Sequence, residues 1–210
     1  VWPPYGGEAA FREYVDALHK EGHLIGVYCS GMGYTLKSCV VDEYECYEDF
    51  EKNHLDKIMC RSPKEELLKS KICTFERDGY DMCPTQKFTK DVLVDQTRKM
   101  IGAGVDYIQL LDQNHGGNSY FCYSKNHGHP PVPGKWQSDA VKDILTEAVK
   151  GTKVLLGCES AAAETFIRNL QFSDNRFNCV YCLGTPVPAY AYIYHEYVNN
   201  FMGNQVCMDG

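Results

Sequence analysis

Two stretches of this chain, residues 105–111 and 153–158, are short, mostly apolar, and followed at once by a carboxylate: Asp112 and Glu159. A helix is predicted ahead of the first, over 90–101, stopped by Gly102-Ala-Gly104. Between the two lies a second helical pattern, with Asp139 as a cap, Val141, Ile144, Leu145 and Ala148 on one face, and Gly151 as the stop. A strand that is apolar on both sides must be covered on both sides. Alternation of such strands with amphipathic helices specifies a parallel sheet faced by helices. That requirement leaves a (β/α) barrel or a doubly wound open sheet.

The same grammar extends outward. Phe11, Tyr14, Val15 and Leu18 recur at helical spacing before Gly22, and His23-Leu-Ile-Gly-Val-Tyr-Cys29 reads as a buried strand closed by the turn Ser30-Gly-Met-Gly33. Tyr80-Asp-Met-Cys-Pro84 reads as a short strand. A helix through Phe166, Ile167 and Leu170 leads to another apolar strand over 178–183. From Tyr34 to Arg77 the periodicity fails, with one short helix predicted over 64–70. So long an excursion is usually functional, and it reads as an insertion over one end of the sheet. About five strands are visible where a barrel needs eight and roughly 250 residues. The expectation is an α/β fold: a (β/α)8 TIM-type barrel, present as an incomplete segment over 1–210, with 34–77 as a long βα-loop insertion.

Composition removes several function classes. The net charge of −7, without a Lys/Arg cluster, argues against a nucleic-acid partner. No stretch reaches the roughly 18 consecutive apolar residues of a membrane span. The 11 cysteines are odd in number. Cys29, Cys158, Cys179 and Cys182 lie in strand-like runs, where a thiol acts as a small hydrophobe; reduced thiols and a cytoplasmic compartment are expected. Cys179-Val-Tyr-Cys182 has zinc-ligand spacing, but no second pair follows it, so neither a metal nor any other cofactor is expected. The opening Val-Trp-Pro-Pro-Tyr-Gly-Gly lacks signal-peptide features and an initiating Met, and reads as the start of a segment. Oligomeric state is not legible.

Chemistry in such folds sits where strands end and loops begin. The predicted strand ends are Cys29-Ser30, Cys83-Pro84, Asp112, Glu159-Ser160 and Gly184-Thr185. Carboxylates there are costly to bury unless paired or used. Glu159 could instead cap a following helix; no helix begins near Asp112. A carboxylate pair suits glycosyl transfer to water, one protonating the leaving oxygen and the other attacking or stabilising an oxocarbenium-like centre. A carbohydrate is therefore the expected partner. Tyr34, His115, His127, His129, Trp136, Tyr194 and His195 are candidate sugar contacts, the histidines as donors to hydroxyls and Trp136 as a stacking platform. The 15 tyrosines fit this weakly.

The string Val105-Asp-Tyr-Ile-Gln-Leu-Leu-Asp112-Gln113, with His127-Gly-His-Pro-Pro131, Gly134-Lys-Trp136 and Leu155-Leu-Gly-Cys-Glu159 plus Glu164, resembles a bacterial family of glycosyl-hydrolase-like barrel domains. That family is similar in turn to endo-α-N-acetylgalactosaminidases and other α-glycosidases. Met82-Cys-Pro84 and the stretch from Pro188 to Tyr197 fit the same pattern, so the resemblance covers nearly the whole chain. It implies a retaining glycoside hydrolase acting on an α-linked sugar, with Asp112 as nucleophile and Glu159 as acid/base; Glu164 is a competitor one helical turn on. Two alternatives stay open: a metal-dependent barrel hydrolase or lyase using Asp112, His115, His127 and His129, and a non-catalytic carbohydrate-binding barrel.

Overall fold

The computed structural model describes residues 4–29, 31–39, 41–72, 75–111, 121–174 and 187–201. Its strands are β1 (Gly26–Cys29), β2 (Gly33–Thr35), β3 (Lys69–Ile72), β4 (Phe75–Asp81), β5 (Tyr107–Leu110), β6 (Leu155–Glu159), β7 (Phe172–Asp174) and β8 (Asn199–Phe201). Its helices are α1 (Glu8–Lys20), α2 (Tyr47–Lys52), α3 (Lys87–Gly102), α4 (Lys135–Val149) and α5 (Ala189–Tyr194). The chain gathers into two compact units, one from 1–31, 98–119 and 149–210, the other from 32–97 and 120–148. No described helix is long and apolar enough to cross a membrane.

The first unit is a five-stranded sheet in the order β1-β5-β6-β7-β8. Every neighbouring pair in it is parallel. The strands predicted at 23–29, 105–111 and 153–158 therefore lie side by side in one parallel sheet, as their apolar runs require. Ile108, Leu110, Leu156 and Cys158 are all buried. Two devices set the entry to β5. Gly104 adopts φ +98°, and a Cβ there would stand 2.8 Å from Val15 Cγ1, so α1 approaches the turn as closely as a bare glycine allows. Asp106 accepts from the Ile25 backbone N–H (2.9 Å) and from His19 Nε2 (2.8 Å), tying α1 and the start of β1 to the foot of β5.

The second unit holds a three-stranded antiparallel sheet, β2-β4-β3. A small core of Leu36, Phe50, Leu55, Met59 and Met82 packs with it, joined by Tyr34, Tyr80 and Phe88.

Several expectations are corrected. Tyr80-Asp-Met-Cys-Pro84 does not end a strand of the parallel sheet: Tyr80 and Asp81 belong to β4, whose partners run antiparallel. The helix predicted over 64–70 is a tight turn, since Ser62 Oγ accepts from the Lys64 and Glu66 N–H groups and the chain then folds back into β3. Ser-Pro turn chemistry at 62–63 outweighs the helical propensity of Lys64 to Leu68. The helix expected through Phe166 and Leu170 is only a 3-10 turn, Ile167–Asn169. Helix α4 begins a turn before Asp139, which ion-pairs with Lys135 and Lys142 within the helix and does not cap it. β7 and β8 were not predicted, and the strand expected over 178–183 lies outside the described residues.

Candidate active site at the strand ends

Side chains alternate between the faces of a sheet, and residues paired in register share a face. Tyr28 pairs with Gln109, Gln109 with Gly157, and Gly157 with Phe172. Two residues further along β6 and β7, Glu159 pairs with Asp174. One face of the sheet therefore carries Tyr28, Gln109, Glu159 and Asp174 towards its C-terminal end. Ile108, Leu110, Leu156, Cys158 and Ser173 point the other way. Burial pushes the Cys158 thiol on that opposite face up to about 12. It behaves there as an inert core group.

Glu159 is the last residue of β6 and is 8% exposed. Tyr28 Oη, reaching past β5 from β1, donates to Glu159 Oε2 at 3.0 Å. The capping role weighed for Glu159 finds no helix to cap, since the chain passes into irregular structure and turns over 161–166. Asp112 follows β5 by two positions and lies, with His115, outside the described residues. The backbone that delivers it is unusual. Leu111 is buried with φ +66°, and Ser160, directly after Glu159, has φ +68°. A left-handed conformation costs a non-glycine residue about 1–2 kcal/mol. Leu111 and Ser160 each directly follow one of two neighbouring strands, β5 and β6. Strain of this kind persists only where surrounding structure imposes it, and it clusters at functional sites. Around Ser160 the imposing contacts are visible: its carbonyl accepts from Ser173 Oγ (3.1 Å) and Cys158 Sγ (3.2 Å).

Asp174 is the residue that sequence reasoning missed. It ends β7, is 3% exposed, and stands in register beside Glu159. The signal was present in Phe172-Ser-Asp174, a strand ending on a carboxylate, but three residues are too few to separate from a loop.

The remaining predicted contacts divide between the units. In the first, Tyr194 Oη donates to Glu164 Oε1, a bond that raises the Tyr194 hydroxyl above its ordinary value. His195 is exposed, and its Nδ1–H donates to the Tyr192 carbonyl at 2.8 Å. In the second, Tyr34 packs against Phe50 and Phe88 at 6.0 and 6.1 Å between ring centroids, as part of the hydrophobic core. His127 and His129 are each only 9% exposed, and Trp136 stacks on His129 at 3.7 Å with the rings 9° from parallel. Cys60, Cys83 and Cys122, all fully buried, complete that cluster. The expectation that His127 and His129 present donors to sugar hydroxyls meets an obstacle, because sulfur atoms and backbone carbonyls surround both rings. The Cys60 and Cys83 thiols beside Cys122 hold its thiol well below the usual range against the cost of burial, with His127 contributing. The seven described cysteines, at 29, 39, 46, 60, 83, 122 and 158, are free. Cys179 and Cys182 lie outside the described residues.

Residues 1–204 match the family model described as "Domain of unknown function (DUF6259)". A Bacteroides thetaiotaomicron protein named "Putative glycoside hydrolase" is 26% identical over 147 residues, covering 70% of this chain and 20% of its own length. Among solved structures, the alpha-N-acetylgalactosaminidase of Bifidobacterium bifidum in its GalNAc complex matches with a TM-score of 0.67 at 17% identity, over 92% of this chain and 29% of that one. An alpha-galactosidase from Thermus thermophilus matches with a TM-score of 0.52 at 13% identity, over 78% of this chain and 29% of that one. The α/β fold, with its five-stranded parallel sheet, is thus similar to that of glycosidase barrels. The chain spans about a fifth of the curated relative and under a third of these structures.

Proposed function

The chain belongs to the DUF6259 family, and from that premise we propose that it supplies the catalytic carboxylates of a retaining glycoside hydrolase acting on an α-linked sugar, as a segment of a (β/α) barrel. One observation carries this reading. A buried glutamate, Glu159, ends β6 on the face that carries Tyr28, Gln109 and Asp174, beside β5, which Asp112 follows by two positions in sequence. The name of the Bacteroides relative and the fold shared with α-glycosidases support it.

In this reading Asp112 is the nucleophile. Its carboxylate attacks the anomeric carbon as the bond from that carbon to the leaving oxygen breaks, and Glu159 gives its proton to that oxygen. The glycosyl group is then esterified to Asp112. Glu159, now a carboxylate, takes a proton from water as the water attacks the same carbon, releasing Asp112 and restoring the original configuration. A retaining pair requires the two carboxyl groups about 5–5.5 Å apart; an inverting pair stands about 6.5–9.5 Å apart to admit the water. The Tyr28 hydroxyl, bonded to Oε2, fixes the rotamer in which Glu159 meets the leaving oxygen. His115, Tyr194 and His195 are the sugar contacts retained in this proposal. Tyr34, His127, His129 and Trp136 are not, because each is engaged in packing or in the cysteine cluster.

The test is Glu159→Gln. Aryl α-glycosides with good leaving groups need little protonation and keep their first step, whereas natural glycosides slow by about 10²–10⁴-fold. Azide then replaces the missing base and gives a glycosyl azide of retained configuration. An azide product of inverted configuration, or equal losses on both substrate classes, would contradict the assignment.

A further inference from the structure

We propose that Cys83, Cys122, His127 and His129 form a closed tetrahedral site for a structural zinc(II) ion. Their ligand atoms all lie within 4.8 Å of one another. Cys122 Sγ stands 3.3 Å from His127 Nδ1, and Cys83 Sγ stands 3.4 Å from His129 Nε2. Zinc bonds of about 2.3 Å to sulfur and about 2.0–2.1 Å to imidazole nitrogen, at tetrahedral angles, put sulfur and nitrogen about 3.5 Å apart. The observed spacings are close to that value.

The histidines are aimed by their other nitrogens. His127 Nε2–H donates to the Lys57 carbonyl at 2.8 Å, and His129 Nδ1–H donates to the Pro130 carbonyl at 2.8 Å. These bonds fix tautomers that leave the lone pairs of Nδ1 in His127 and Nε2 in His129 directed at the sulfurs. Outer-shell carbonyls play this part at zinc-bound histidines generally. The Trp136 ring, lying flat on His129, holds it from the side.

The backbone around the ligands is tied down. Cys83 N–H donates to the Ile58 carbonyl (3.1 Å), and Cys60 N–H to the Asp81 carbonyl (2.7 Å). Tyr123 N–H donates to the Arg61 carbonyl (2.9 Å), bringing Cys122 alongside. Gln86 Nε2 donates to the His127 carbonyl at 3.1 Å.

Two thiolates and two neutral imidazoles balance a divalent charge. Soft sulfur with imidazole in tetrahedral array selects zinc over the harder oxygen-seeking cations. The cluster is buried, and the four donors complete the coordination with no position left for water or substrate. That arrangement marks a structural role, not a catalytic one. Cys60, fully buried in the same cluster as Cys83 and Cys122, is assigned a place beside their sulfurs, outside the coordination sphere. The sequence pattern offers the Cys179/Cys182 pair and, as an alternative, a catalytic metal on Asp112, His115, His127 and His129, with no metal as the expectation. The proposed ligands come from two distant stretches, Cys83 on one and Cys122, His127 and His129 on the other. The proposal is independent of the glycosidase reading, and either can fail alone.

The experiment measures metal in the protein purified without chelator, by elemental mass spectrometry. One zinc per chain is expected, retained in Cys60→Ser and lost in Cys83→Ser and His127→Ala. Because those two variants can misfold, the parent protein is also stripped and reloaded with cobalt(II). The site predicts the intense visible absorption of a tetrahedral thiolate–cobalt centre. Removing zinc with a chelator is expected to lower Tm by about 5–10 °C, and restoring zinc to reverse the shift. Parent protein that carries no zinc and takes none up, a weak octahedral cobalt spectrum, or zinc retained in Cys83→Ser would each overturn the proposal.

Discussion

The two compact units solve the same problem with different means. The parallel unit covers its strands through long apolar runs: Ile108, Leu110, Leu156 and Cys158 fill one face, which leaves polar residues free to occupy strand ends on the other. The antiparallel unit has strands of three, four and seven residues, with a cluster of buried side chains, Leu36, Phe50, Leu55, Met59 and Met82, packed beside them. In that unit the ligand atoms of Cys83, Cys122, His127 and His129 gather within 4.8 Å of one another, where the proposed zinc would add a staple to the apolar packing. In the parallel unit apolar burial secures the strands; in the antiparallel unit the proposed metal is added to it.

If that contrast is right, tightening the packing of the parallel unit should destabilise it without touching metal content. Gly157 is the sharpest place to test this. A Cβ there would lie 2.1 Å from Tyr107 Oη and 2.7 Å from Cε2 of the ring, which is packed edge-on against Phe172. Gly157→Ala is expected to cost about 1–3 kcal/mol, read as a lower denaturant midpoint. Unchanged stability would show that the ring moves aside freely. Loss of metal in this variant would break the separation between the two devices.

A smaller effect is expected at the foot of β5. Burial tends to raise the Asp106 carboxyl, but the Ile25 N–H and His19 outweigh it and hold the group below its ordinary value. A carboxylate with a depressed folded-state value stabilises the fold above its unfolded value of about 3.9 and loses that contribution as pH falls through the folded value. Asp106→Ala is therefore expected to cost about 1–2 kcal/mol at pH 7, and the difference from the parent should vanish in strong acid. A penalty that stays constant from neutral pH to pH 2 would assign the loss to packing alone.

The same contrast explains what could be read in the sequence. β1, β5 and β6 were legible because each is a mostly apolar run beside an amphipathic helix, a local signal. Glu159 was legible because it directly follows such a run. Asp174 was not, since its strand has three residues, and nothing in Phe172-Ser-Asp174 separates a strand from a loop. Residues 34–77 read as an insertion whose one element is a short helix over 64–70. The order of the antiparallel unit comes from pairings between distant residues, such as Cys60 N–H with the Asp81 carbonyl or Tyr123 N–H with the Arg61 carbonyl, which no local period reports. For the same reason His127, His129 and Trp136 looked like a sugar-binding loop. Their spacing fits either role, and only the arrival of Cys83 and Cys122 beside the imidazoles distinguishes them.

The claim at the centre of this account is that Asp112 attacks the sugar. The direct measurement is turnover of an aryl α-glycoside that the parent protein hydrolyses, compared with turnover by Asp112→Asn, a change that keeps the shape of the side chain and removes its nucleophilicity. The account predicts a fall in kcat on the order of 10⁴–10⁶-fold, the scale of losing a covalent nucleophile, with the circular dichroism spectrum and zinc content unchanged. An Asp112→Asn protein that folds normally and keeps more than about a tenth of the parent rate would contradict it, because an amide cannot form and release the glycosyl ester.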